Sequence, residues 1–120
     1  MTEPEAVALR TDRTIDITTR GRRSDRPSRI EIWFHNIDGR VYITGLPGSR
    51  DWYANLLAEP HFTFHLKESV VADLDAVAHP VTDQDERRAV FEVLLARLGH
   101  TDRMDAWMDR SPLVEVTFPT

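Results

Sequence analysis

The stretch ITTRGRRSDRPSR, residues 17–29, alternates β-branched and polar residues, enters a turn packed with arginine, and leaves toward a second alternating run. Gly21 and Pro27 bracket the turn, which makes it a short connection between two strands. Arg20, Arg22, Arg23, Arg26 and Arg29, five of the 15 basic residues, fall between positions 20 and 29 against one acid, Asp25. The rest of the chain holds 10 basic and 19 acidic residues (15 minus 5 and 20 minus 1), so a patch of +4 sits on a body of −9. Charges are felt over roughly 8 Å at physiological salt, so the turn reads as a focused anion site. Arginine also presents the planar fork that suits phosphate and carboxylate.

Working outward, Ile15–Thr19 is predicted as a strand by its period of two. Arg29–His35 alternates again, with Ile30, Ile32 and Phe34 on one face and Glu31, Trp33 and His35 on the other. Asn36–Gly39 is predicted as a hairpin turn, because Asp38-Gly39 supplies the positive φ of a tight connection, and Arg40–Gly45 returns. Ser49 is the expected N-cap of a short helix, residues 50–58, that starts on the Gly48 turn. Uncapped amides there offer a second place for an anion, with Trp52 and Tyr53 placed to flank a flat ring. His61–Lys67 and Val71–His79 read as strands. Asp83 and Glu86 mark a helix start, and Val90, Phe91, Leu94, Leu95 and Leu98 keep helical spacing up to Gly99. Asp102–Asp109 is expected to add a turn or two of helix, and Leu113–Phe118 the closing strand. The expected organisation is an N-terminal arm, 1–14, helical or frayed, and one domain, 15–120. Six short strands with one main helix predict a mainly β (α+β) fold, a six-stranded antiparallel barrel, closed or half closed, with helices at its rim.

Composition removes several function classes. At 120 residues the chain builds one core, and no apolar run approaches the roughly 18 residues of a spanning helix. The acidic start MTEPEAVALRTD lacks an apolar leader core, so a cytoplasmic location is expected. The absence of cysteine excludes disulfides and thiolate chemistry, and a net charge of −5 argues against nucleic acid. His61 and His65 lie four apart in a strand, roughly 13 Å at about 3.3 Å per residue, so no metal site is expected. Ser24, Ser49 and Ser111 lack the setting of a nucleophile elbow, so no hydrolase triad is expected. Trp33, Trp52, Tyr53 and Trp107 are candidates for stacking on a ring system. If a redox cofactor carries the chemistry, the chain needs no catalytic side chain of its own.

The run Thr18-Thr19-Arg20-Gly21-Arg22-Arg23-Ser24 resembles the TTxGR[KR]SG signature of the deazaflavin-dependent nitroreductase family. DGRVYITG, DWYANLLAEP and AWMDRSPLVEV are similar to three further motifs of that family in the same order, so the resemblance spans residues 15–118. It implies a split β-barrel of the flavin-reductase type that binds reduced coenzyme F-420 and passes hydride to quinones, nitroaromatics or other activated unsaturated compounds. It further implies that Arg22 and Arg23 face the anionic tail of the cofactor and Arg29 its phosphate. Gly48, Ser49 and Arg50 would line the phosphate, Trp52 and Tyr53 the rings, and Trp33, Met104 and Trp107 the hydrophobic acceptor. Two other readings of the barrel stay open: a binder of a fatty acid or similar amphipathic anion, walled by Phe62, Phe64, Met104, Trp107 and Met108, or an FMN- or haem-binding relative. An edge strand such as Ile15–Thr19 also leaves a homodimer open.

Overall fold

Alternation in β1 (Thr14–Arg20) turns Ile15, Ile17 and Thr19 into the core and leaves Asp16 and Thr18 on the outer face. The computed structural model describes residues 1–119; Thr120, the end of the expected domain 15–120, lies outside them. Around β1 are built β2 (Pro27–Trp33), β3 (His35–Ile37), β4 (Arg40–Thr44), β5 (His61–Leu66), β6 (Ala72–Pro80) and β7 (Leu113–Thr117). All pair antiparallel in one curled sheet, in the order β2-β1-β5-β6-β7-β4-β3. The helices are α1 (Glu3–Thr11), α2 (Asp51–Ala58), α3 (Gln84–Leu98) and α4 (Met104–Arg110).

The sheet has seven strands, not the six expected. The run 29–35 starts at Pro27 and breaks at Phe34, whose N–H makes the last bond in the β1–β2 register, donating to the Arg13 carbonyl at 2.9 Å. The chain thereby passes from one edge of the sheet, β2, to the other, β3. Phe34 is 2 % exposed and stacks edge-on against Phe64 at 5.3 Å, so the crossing is pinned in the core. Asn36 and Ile37, expected in the turn, belong to β3; Asp38 and Gly39 alone reverse the chain, with φ of 51° and 88°.

The N-terminal segment is a helix, with Thr2 and Glu5 closing a reciprocal capping box, and it lays Ala8 and Leu9 into the core. Asp83 caps α3 by accepting from the Glu86 amide at 2.9 Å, and Gly99 ends it at φ 75°. Two apolar clusters result. Ile15, Ile17, Phe34, Phe62 and Phe64 pack inside the sheet. Tyr42, Val90, Phe91, Leu94, Trp107 and Leu113 join α3 and α4 to its other side.

Candidate functional site

The arginine turn closes on itself through Gly21, whose amide donates to the Arg26 carbonyl at 2.8 Å while its carbonyl accepts from the Asp25 amide at 2.9 Å. A Cβ on Gly21 would meet Ser24 Oγ at 2.7 Å and the Arg26 carbonyl at 3.2 Å, so the signature needs glycine there. Arg22 is held by α2: its backbone amide and Nη1 both donate to Asn55 Oδ1, at 3.1 and 3.0 Å, and Nη2 pairs with Asp51 at 3.3 Å. Asn55, 5 % exposed, donates in turn to Thr19 Oγ1. Asn55 is not among the residues expected at the site, although a buried asparagine in mid-helix signals a polar partner. Arg20 pairs with Asp25 at 3.5 Å. Arg29 pairs with Asp16 at 3.0 Å on the outer face of the sheet. Arg23 and Arg26 are exposed and form no ion pair among the described residues. Three of the five guanidiniums are thus partly neutralised by acids of the chain itself.

A larger cavity, about 460 Å³, opens between the loop before α2 and the end of α4. Gly48, Ser49, Arg50 and Tyr53 line one side, and Arg87, Met108, Arg110 and Ser111 the other. Gly48, at φ 129°, donates its amide to the Arg110 carbonyl at 3.1 Å and so joins the two walls. Arg50, not Ser49, occupies the N-cap of α2; no side chain caps the helix, because Arg50 folds back to donate to the carbonyls of Ser49 and Leu46. The other expected ring neighbours lie elsewhere. Trp52, 7 % exposed, is packed in the first apolar cluster. Trp107 lies in the second, edge-on to Phe91 and stacked on His100, with Met104 packed against it. Trp33 is exposed under the Arg13 guanidinium, away from the cavity. The aromatic walls proposed for a fatty acid are likewise divided between the two clusters.

Arg87 was not foreseen as a site residue. Its guanidinium, in a residue 7 % exposed, donates to the carbonyls of Val81, Trp107, Met108 and Ser111 at 2.9–3.2 Å and meets no carboxylate among the described residues. Burial pulls its pKa below the usual arginine value, the expected cost of an unpaired cation. Next to it, Ser111 Oγ is buried with no hydrogen-bond partner among the described residues. A positive floor and an unused hydroxyl are what an anionic guest with acceptor oxygens would complete.

The protein-family comparison decides the assignment: residues 5–119 match the model described as F-420H(2)-dependent quinone reductase. The chain belongs to the F-420H(2)-dependent quinone reductase family. Its members are oxidoreductases that use the reduced deazaflavin coenzyme, so the resemblance read from the motifs holds at that level. Solved structures share this chain's fold at low identity. A conserved hypothetical protein from Mycobacterium tuberculosis superposes with a TM-score of 0.77 at 20 % identity, over 100 % of this chain and 82 % of the other. An F-420-H2 dependent reductase gives 0.66 at 18 %, over 88 % and 95 %. HutZ, a haem storage protein from Vibrio cholerae, gives 0.72 at 19 %, over 98 % and 90 %. No helix of the described residues is long and apolar enough to cross a membrane, and none of their His, Asp and Glu side chains gather into a metal-binding group.

Proposed function

We propose that this chain binds coenzyme F-420 in the 460 Å³ cavity and mediates hydride transfer to a quinone, nitroaromatic or other activated unsaturated small molecule. The observation that carries the reading is the pairing of Arg87, a buried cation without a carboxylate, with the partnerless Ser111 hydroxyl at that cavity. An anionic group would be received there by Arg87, Arg50 and Arg110, with Ser111 donating to one of its oxygens. Gly48 leaves the backbone open to close approach, since a Cβ would stand 3.2 Å from Arg50 Nη1. Tyr53 and Met108 supply the apolar side against which a flat ring and its acceptor can lie. Arg22 and Arg23 stay at the turn beside α2, where an extended acidic tail would reach them. When bound, the coenzyme supplies the hydride; the chain's part is to bind, orient and shed water. We place this activity in the cytoplasm; the run Ile15–Thr19, expected at an edge, lies inside the sheet between β2 and β5, so pairing into a homodimer is proposed along the edge of β2 instead, read by light scattering.

The test is a fluorescence titration with F-420, followed by turnover of its reduced form with a quinone and with a nitroaromatic. Quenching in the micromolar range is expected, weakened by Arg22→Ala with Arg23→Ala and more strongly by Arg87→Met. Absence of quenching by the wild-type chain overturns the proposal.

A further inference from the structure

The signature threonine Thr18 belongs to a second constellation that shares no residue with the cavity above. Thr18 in β1, His65 in β5 and Asp73 in β6 stand on the outer face of three neighbouring strands. His65 lies directly across from Asp73 and diagonally from Thr18, whose facing residue is Thr63. The imidazole joins them in a line, with Nδ1 2.7 Å from Asp73 Oδ1 and Nε2 2.7 Å from Thr18 Oγ1. The hydrogen bond from His65 holds the Asp73 carboxyl below its ordinary range, so at neutral pH it is a carboxylate that only accepts. Nδ1 therefore carries the proton, and in the uncharged ring Nε2 offers its lone pair to the Thr18 hydroxyl. The arrangement is carboxylate, imidazole and hydroxyl in the order that activates an oxygen nucleophile. A separate cavity of about 250 Å³ is lined by Thr18, with Arg20, two residues along the strand, and its exposed ion-pair partner Asp25 on its wall. His65 is 6 % exposed, whereas the Asp73 side chain is 71 % exposed, so the base is shielded from water and its orienting partner is not.

We infer that this face is an acyl-transfer site, with Thr18 as nucleophile, His65 as general base and acid, and Asp73 as the positioning residue. The cavity sets the substrate class: small activated esters or thioesters with a short acyl chain. Thr18 Oγ1 attacks the carbonyl carbon as its proton passes to His65 Nε2, and Arg20 stabilises the negative charge that builds on the carbonyl oxygen. The carbonyl re-forms, the bond to the alcohol or thiol leaving group breaks, and that group takes the proton from Nε2, leaving acyl-Thr18. Water then attacks the acyl carbon, gives a proton to Nε2, and the carboxylic acid leaves as Thr18 Oγ1 takes that proton back. No redox partner is needed, so the proposal stands apart from the coenzyme reading.

The probe is p-nitrophenyl acetate with the 120-residue chain. One equivalent of nitrophenolate in a burst is expected, with one acetyl group on the peptide that carries Thr18. Lys67 is the only lysine in the sequence, so acetylation of amines is confined to that side chain and the amino terminus and, like any on tyrosine or histidine, is told apart by peptide mass. Thr18→Val should abolish the burst and Thr18→Ser keep it. Asp73→Asn, an exposed change, should slow acylation about a hundredfold and shift its pH profile while the urea midpoint stays in place. An acetyl group found only on Lys67 or the amino terminus, or equal bursts in wild type and Thr18→Val, overturns the inference.

Discussion

Replacing His35 by glutamine should change how stability depends on acidity, by an amount the structure fixes. The ring sits half-buried in β3, opposite Tyr42. Burial first, then the positive charges of Arg97 and Arg13, lowers its pKa from 6.5 to about 4. Above about pH 6.5 neither the folded nor the unfolded chain holds a proton there. Between about 6.5 and 4 the unfolded chain takes the proton and the folded one refuses it, so unfolding gains roughly 1.4 kcal/mol for each pH unit. Across the difference of about 2.5 units the loss comes to roughly 3 kcal/mol, a large share of the ~5–15 kcal/mol that holds a small domain together. The assay is a series of urea unfolding curves from pH 7 to 4 for the wild type and His35→Gln. Acidic residues titrate in both chains and cancel in the difference. The variant should fall less steeply, the gap widening to about 3 kcal/mol at pH 4. Parallel curves would refute the reasoning.

Arg87→Met removes four hydrogen bonds to buried carbonyls but also a costly buried charge and should cost about 2–4 kcal/mol of stability in urea. A change below about 0.5 kcal/mol would mean that cavity water already serves those carbonyls. Asn55→Ala leaves two donors of Arg22 and one acceptor of Thr19 without their partner, so a loss of about 1–3 kcal/mol is expected, with faster amide exchange confined to the arginine turn. Gly48→Ala meets both a φ of 129° and the Arg50 guanidinium and should lower the melting midpoint by the equivalent of about 1–3 kcal/mol. Asp16, held below its ordinary range chiefly by the Lys67 ammonium, contributes stability that is present above pH 3.8 and lost as the pH falls through its lower folded value. Asp16→Asn should flatten that acid limb in a circular-dichroism titration.

Periodicity reads the face a residue occupies, not the strand it pairs with. Ile15, Ile17, Ile30 and Ile32 are core-facing as their alternation implies, and so is Phe34. Because Phe34 keeps the pattern, nothing in the sequence marked it as the point where the chain leaves one edge for the other. The start of α2 was misplaced for a different reason: Ser49 has the side chain of a cap, but the Arg50 guanidinium already satisfies the Ser49 and Leu46 carbonyls. Arg87 was legible in principle. It precedes Val90 by three and Phe91 by four, which places a charge on the buried stripe of α3. The Thr18, His65 and Asp73 line was not, since its members are 47 and 8 residues apart and meet only through register.

Phe34 has a further consequence for traffic into the protein. The outermost strands of the sheet, β2 and β3, are tethered by that single residue, two Cα steps of about 3.8 Å each. A hoop stitched so tightly cannot widen by letting its margins drift apart. A guest of the proposed coenzyme cavity would then arrive and depart over the lip, past the loop before α2 and the end of α4 that border that cavity.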